Sequence, residues 1–259
     1  MERMVLTPVS GMLGRLKRHP FPVVAHFDRV LALSFAFPAD ALSPFVPAPL
    51  ELDVHGEHGF VTVALVWTRG LRPAGFPEIL GRKFFLAGYR IFVRAEDGNR
   101  RLRGLKILRS ETDSRFMVWT GNLMTHYRYR NVTLEESDGW LRTRGPDGTK
   151  LEMRYDLTED TGLPEGSPFA DWRAARRFAG PMPFTFDLEA PGGVIAVEGR
   201  RASWSPRPFR VESCHVAMFD EAPFRDCAPL LANAFVVENV DYRWEAGRLL
   251  EKRRNDPES

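Results

Sequence analysis

From Val23 to Phe37 the chain alternates with a period of two: Phe27, Leu31, Leu33, Phe35 and Phe37 fall on one side, Ala32, Ser34 and Ala36 on the other. A pleated strand turns successive side chains to opposite faces, so the segment reads as a strand with one bulky face and one face of small residues. The bulky face packs tightly. The small face leaves room beside the sheet.

The rest of the chain repeats the strand signal. Phe60 to Thr68 is apolar almost throughout, as in a strand covered on both faces, and Phe84 to Arg94 follows a loop rich in Gly and Pro. Asp97-Gly98 marks a hairpin turn whose return strand is Arg100 to Arg109. Ser110-Glu111-Thr112-Asp113 has the form of an N-cap with a capping box, which predicts a helix over 111–120 that stops at Gly121. Further strands are predicted near 126–135, 140–144, 150–157, 184–189, 194–204, 209–219 and 234–244, with helices near 40–45, 169–178 and 224–231. An amphipathic helix over 8–18 ends at Pro20 and Pro22, and the chain after about 250 reads as a flexible tail. Many antiparallel strands with few helices imply a mainly β (α+β) single domain over 1–259. The expected form is a closed or strongly curled antiparallel barrel with peripheral helices, able to hold a small molecule.

Charge and cysteine content narrow the partners. The formal net charge is +2 and the basic residues are scattered, so the stripe that would neutralise many phosphates is missing and nucleic acid is excluded as a partner. Cys214 and Cys227 are too far apart in sequence for a redox pair and too few for a thiolate metal site. His55 and His58 flank Gly56 in a turn with no third ligand evident, so no metal is expected. No dinucleotide fingerprint, phosphate loop or serine elbow is present, and no cofactor is expected. The apolar runs are far shorter than the roughly 20 residues that span a bilayer, and the first residues lack a hydrophobic signal core. The expectation is a cytoplasmic protein with no membrane partner.

Asp40-Ala41-Leu42, followed by Val46-Pro47-Ala48-Pro49-Leu50-Glu51-Leu52-Asp53, lies directly after the first strand. This corner resembles the acetoacetate decarboxylase-like superfamily, and within it the YqjF-like branch; the likeness can be followed to about Tyr129. Decarboxylases of that superfamily use a lysine Schiff base beside a second lysine that lowers the first one's pKa. Aligned on Gly104, the matching strand here puts Ile107 and Leu108 where the lysine pair would stand, with Lys106 one position away. The resemblance also places Arg29 where a substrate-facing arginine begins the first barrel strand, and matches Glu78 loosely to an acid of the family.

The residues themselves add candidates. The chain has five lysines, so any amine chemistry must come from a short list, with Lys106 foremost. Arg109 ends a basic strand where a helix N-terminus is expected, a place that favours an anion. Arg90 shares a strand with Gly88, which has no side chain to crowd a cavity. His126 and Tyr127 follow the helix and offer proton transfer or hydrogen bonds. Glu238 shares a strand face with Val236, Val240, Tyr242 and Trp244, and a buried carboxylate there would need an arginine partner or a raised pKa, or else an edge position in water.

The first expectation is therefore a protein that binds a small-molecule carboxylate through Arg29, Arg90, Arg109, Tyr127 and Glu78 and lacks Schiff-base decarboxylation. A second is a lyase or decarboxylase on a β-keto acid, with Lys106 and His126 as its catalytic groups. A third is an interaction module without a ligand. Exposed sheet edges also make a homo-oligomer plausible.

Overall fold

The computed structural model describes residues 16–158, 162–190 and 192–251. The helix expected over 8–18 and the tail beyond about 250 fall largely outside them.

The leading alternation forms strand β1 (Val23–Pro38), followed by the one-turn helix α1 (Ala39–Leu42), a 3-10 turn (Ser43–Phe45) and the short strand β2 (Glu51–Leu52). Then come β3 (His58–Pro73), β4 (Arg82–Asp97) and β5 (Arg100–Thr112), helix α2 (Arg115–Met124), and β6 (Tyr129–Asn131). A meander of β7 (Thr133–Ser137), β8 (Trp140–Gly145) and β9 (Gly148–Asp156) precedes helix α3 (Trp172–Ala179) and strands β10 (Phe184–Glu189) and β11 (Gly193–Arg201). The chain continues through β12 (Arg207–Pro208), β13 (Arg210–Val216), β14 (Leu230–Trp244) and β15 (Arg248–Leu249).

The large sheet runs β14-β1-β3-β4-β5-β10-β11 and returns to β14 through the pairs Gly199–Trp244, Arg200–Arg243 and Arg201–Tyr242. A path that comes back to its starting strand makes the sheet strongly curled. Most pairings are antiparallel as expected, but β5 pairs in parallel with both β10 and β6. A second sheet, β13-β9-β8-β7, lies against the bulky face of the first. There Leu31, Leu33, Val63, Leu65 and Ile91 share one buried core with Leu141, Leu151 and Met153. At about 25 cal/mol per Å² of apolar surface, this core is the main stabilising contribution.

Three expectations are corrected. Residues 111 and 112 continue β5, because Glu111 accepts a hydrogen bond from the Tyr89 hydroxyl at 2.8 Å and so belongs to the sheet. The N-cap is Ser114, whose hydroxyl accepts from the Met117 amide at 3.2 Å. The helix also passes through Gly121, which is needed for close approach rather than for termination: a Cβ there would stand 2.4 Å from the Tyr129 ring. The helix expected over 224–231 is only a 3-10 turn (Phe224–Asp226) before β14.

Irregularities in the strands decide which face a residue joins. Asp28 in β1 is an extra residue relative to β3, and its neighbour across the sheet, Asn239 in β14, adopts φ +54°. Such an insertion shifts the two-residue phase. Phe27 therefore leaves the face of Leu31 and joins that of Val30 and Ala32. Glu238 leaves the face of Val240 and Tyr242, is exposed, and pairs with Arg207 at 3.5 Å.

Candidate functional site

The register lines up side chains in rows across the small-residue face. One row is Phe235, Ala32, Ala64, Gly88 and Ser110; the next is Asn233, Ser34, Thr62, Arg90 and Ile107. Apart from Phe235 the first row is nearly empty of side-chain volume, and the second carries polar groups. Beyond them Phe60, Phe92 and Leu105 form a buried apolar wall with Phe169 and Met182. Small side chains flanked by large ones leave a cavity of about 380 Å³, within the range of small-molecule sites.

Arg72, Arg82 and Arg201 line the cavity elsewhere, but Arg90 is the charged group of the polar row. Its Nε is buried and has no hydrogen-bond partner, and among the described residues no carboxylate pairs with it. Burial lowers its pKa below the ordinary arginine value, opposed by the phenols of Tyr242, Tyr129 and Tyr127. A guanidinium stays protonated across the ordinary pH range, so this is a desolvated cation facing an open space. An unpaired buried charge is costly, and an anion supplying two parallel hydrogen bonds would offset that cost.

Tyr127, Tyr129 and Tyr242 also line the cavity. Burial raises the pKa of each, in the case of Tyr129 to about 12, so all three present neutral hydroxyls at physiological pH. Tyr242 stacks on Phe27 and Trp244 meets it edge to face, forming an aromatic side wall with ring centroids 4.6 to 5.6 Å apart. At the mouth, Leu80 and Phe116 line the cavity yet are 56% and 49% exposed, and the Arg82 guanidinium lies 4.9 Å from the Phe116 ring centre.

The structure brings together only part of the expected set. Arg90 and Tyr127 meet in the cavity. Arg29 lies on the face of Leu31, ion-paired with Glu136 of β7 and stacked 3.8 Å from the Trp67 ring centre. Arg109 is turned away by a bulge at Leu108: Ile107 pairs with Arg90, but Arg109 pairs with Tyr89 and reaches Glu221 at 3.3 Å. Lys106 pairs with Ile91 and Phe186, both of the opposite core, whereas its neighbours Leu105 and Ile107 line the cavity. Burial lowers its amine below the ordinary lysine value, Asp187 opposes this, and Arg128 adds to it. His126 is half-buried and Glu78 is exposed, and neither is in the cavity wall. His55 and His58 bond to each other's backbone across the Gly56 turn.

Several polar and aromatic wall residues, among them His19, Arg201 and Tyr242, were not marked as site candidates by the sequence. These three arrive through long-range pairing of β11 and β14 and through the segment before β1. No local motif marks them; only the aromatic alternation of Tyr242 and Trp244 hints at a buried face.

A mainly β fold whose curled sheet packs a second sheet on one face and lines a cavity with the other is acetoacetate decarboxylase-like in architecture. An acetoacetate decarboxylase from Legionella pneumophila is similar with a TM-score of 0.60 at 9% identity, covering 97% of this chain and 98% of that one. The enduracididine biosynthesis enzyme MppR, complexed with pyruvate, has a TM-score of 0.57 at 12% identity, covering 96% and 93%. An acetoacetate decarboxylase-like enzyme from Sphingomonas wittichii RW1 has a TM-score of 0.55 at 15% identity, covering 96% and 99%. At these identities the likeness is one of fold. No curated protein matches the chain significantly. The chain belongs to the family DUF2071, described as "Uncharacterized conserved protein (COG2071)", which matches residues 24–238. Among the described residues no helix is long and apolar enough to cross a membrane.

Proposed function

We propose that this chain, in our reading a YqjF-like member of the superfamily, binds a small organic acid in its barrel-like interior and does so without Schiff-base chemistry. The observation that carries the reading is Arg90, a guanidinium in the wall of an otherwise largely apolar cavity with no carboxylate partner among the described residues. A carboxylate guest would take Arg90 as its counter-ion and the hydroxyls of Tyr127, Tyr129 and Tyr242 as neutral hydrogen-bond partners. That a protein of the same fold is described in complex with pyruvate supports the class of guest. Ile107, rather than an amine, stands in the wall at the position the resemblance gives to a lysine. The test is equilibrium binding of a panel of carboxylates and their amides to the wild type and to Arg90→Met. Carboxylates should bind selectively and lose on the order of 10- to 100-fold in affinity in the variant, the worth of a charge-assisted hydrogen-bonded pair. Unchanged binding in Arg90→Met overturns the reading.

A second reading, a Schiff-base lyase acting through Lys106, draws on the lowered pKa of that buried amine. Its position on the face opposite the cavity counts against it. Borohydride treatment in the presence of acetoacetate, with Lys106→Met as control, decides: no covalent mass increase rejects it.

A further inference from the structure

We infer that the guest is an amphiphilic monocarboxylate, with its acid group at Arg90 and an apolar body, aryl or alkyl, filling the remainder of the cavity and emerging between Leu80 and Phe116. This rests on the carboxylate reading above and goes beyond it in naming the class.

Volume and chemistry both point away from a short, polar acid. A water-sized unit occupies about 30 Å³ of liquid, so about 380 Å³ accepts a guest of on the order of a dozen heavy atoms. A keto acid of pyruvate's size would fill roughly half of that. Much of the remaining space is bounded by Phe27, Val30, Val66, Leu86, Phe235 and Trp244, while the wall residues Arg72 and Arg201 already donate to backbone carbonyls, of Gly70 and Phe76 and of Pro181. Of the arginines that line the cavity, Arg90 is the one whose Nε is buried without a hydrogen-bond partner, which suits an anionic group there.

At the mouth the apolar character continues outward, with the Arg82 guanidinium over the Phe116 ring. Leu80 and Phe116 belong to the cavity wall and also to an exposed apolar rim with Phe76, Ile79 and Trp119, on the turn before β4 and on α2. Exposed apolar surface contiguous with an apolar cavity marks a binding route. An apolar body that reaches the mouth would cover Leu80 and Phe116, whereas a short acid would leave them in water.

The experiment is a binding series of straight-chain alkanoates from acetate to dodecanoate, with matched primary alcohols and with phenylacetate as an aryl arm. Affinity should rise about three- to fourfold per methylene and level off once the chain reaches the mouth, with the alcohols far weaker. Leu80→Ser and Phe116→Ser alter exposed positions and spare the fold. They should weaken the longest acids several-fold and butanoate much less. If acetate and pyruvate bind as tightly as octanoate, or if the mouth variants weaken all lengths equally, the amphiphile is overturned while the carboxylate site stands. If no acid of any length binds, or the alcohols bind as well as the acids, the carboxylate reading itself falls.

Discussion

Gly88 makes the space that Arg90 occupies: a Cβ built on Gly88 would stand 2.9 Å from the Nε and 3.0 Å from an Nη of Arg90, two residues along the same strand. The two lie on one face of β4 because strand periodicity is two. Glycine thus allows the guanidinium to fold down along the sheet beside Ala64 and Ser110 instead of standing across the cavity.

Gly88→Ala tests this relationship. The atoms met are the far end of a flexible side chain, so Arg90 can swing away and the stability cost should be small, about 1 kcal/mol, at the low end for overpacking. The cost should appear in binding, as a carboxylate affinity reduced by on the order of tenfold with little change in urea midpoint. A variant that binds as tightly as the wild type would show that Arg90 does not need that lodging.

Gly121→Ala sets two magnitudes against each other. Alanine favours the interior of a helix by about 1 kcal/mol over glycine. Here its Cβ would stand 2.4 Å from the Tyr129 ring, whose residue is anchored to Asn122 through both its amide, at 2.8 Å, and its carbonyl, at 3.0 Å. A pinned ring cannot retreat, and overpacking costs about 1–3 kcal/mol. The clash outweighs propensity, so thermal denaturation should show a lower midpoint for the variant; a raised midpoint refutes the argument.

Much of the cavity was legible because its governing feature is local. The alternation of Ala32, Ser34 and Ala36 against Leu31, Leu33 and Phe35 marks the empty face, and Gly88 marks the place of Arg90. What could not be read is phase. Asp28, Leu108 and Asn239 each interrupt a strand without a sequence signal strong enough to announce it. Those interruptions send Phe27 into the cavity, Arg109 out of it and Glu238 into solvent. Arg29 shows a different failure: its parity with Leu31 already assigned it to the packed face, and the family likeness pointed the other way. Residues supplied by distant pairing, such as Arg201 beside Tyr242, leave no local trace.

Asp53→Asn should damage stability rather than binding. Asp53 is fully buried and holds Arg94 and Arg103 on its two oxygens at 2.6 Å, and Arg103 reaches on to the Phe178 carbonyl of α3 at 3.2 Å. Removing one member of a buried ion pair costs about 3–5 kcal/mol. Both arginines are about one-third exposed, so the discounted expectation is about 2–3 kcal/mol, read as a lower urea midpoint with unchanged m. A loss below about 0.5 kcal/mol would assign the triad no structural weight.

The pair Tyr89 and Glu111 makes a pH prediction whose sign follows from burial. Desolvation raises the pKa of the Glu111 carboxyl above its ordinary value, outweighing the Tyr89 hydrogen bond and the attraction of Arg109, Lys150 and Arg130. In the folded state the protonated form is therefore favoured relative to the unfolded chain. Any stability this group contributes is fully present below the unfolded pKa, near 4.5, and is lost as pH rises through the higher folded pKa. Glu111→Gln keeps an acceptor for the Tyr89 hydroxyl, which lies 2.8 Å away in the wild type, and removes the titration. Relative to the wild type, the variant should gain stability progressively as pH is raised above about 4.5 and reach a constant difference once Glu111 is ionised in both states. Urea denaturation of both proteins across pH 4 to 8 gives the difference curve. A flat difference, or one that falls with pH, would mean that hydrogen bonding and the cationic neighbours hold the carboxylate at least as strongly as burial penalises it.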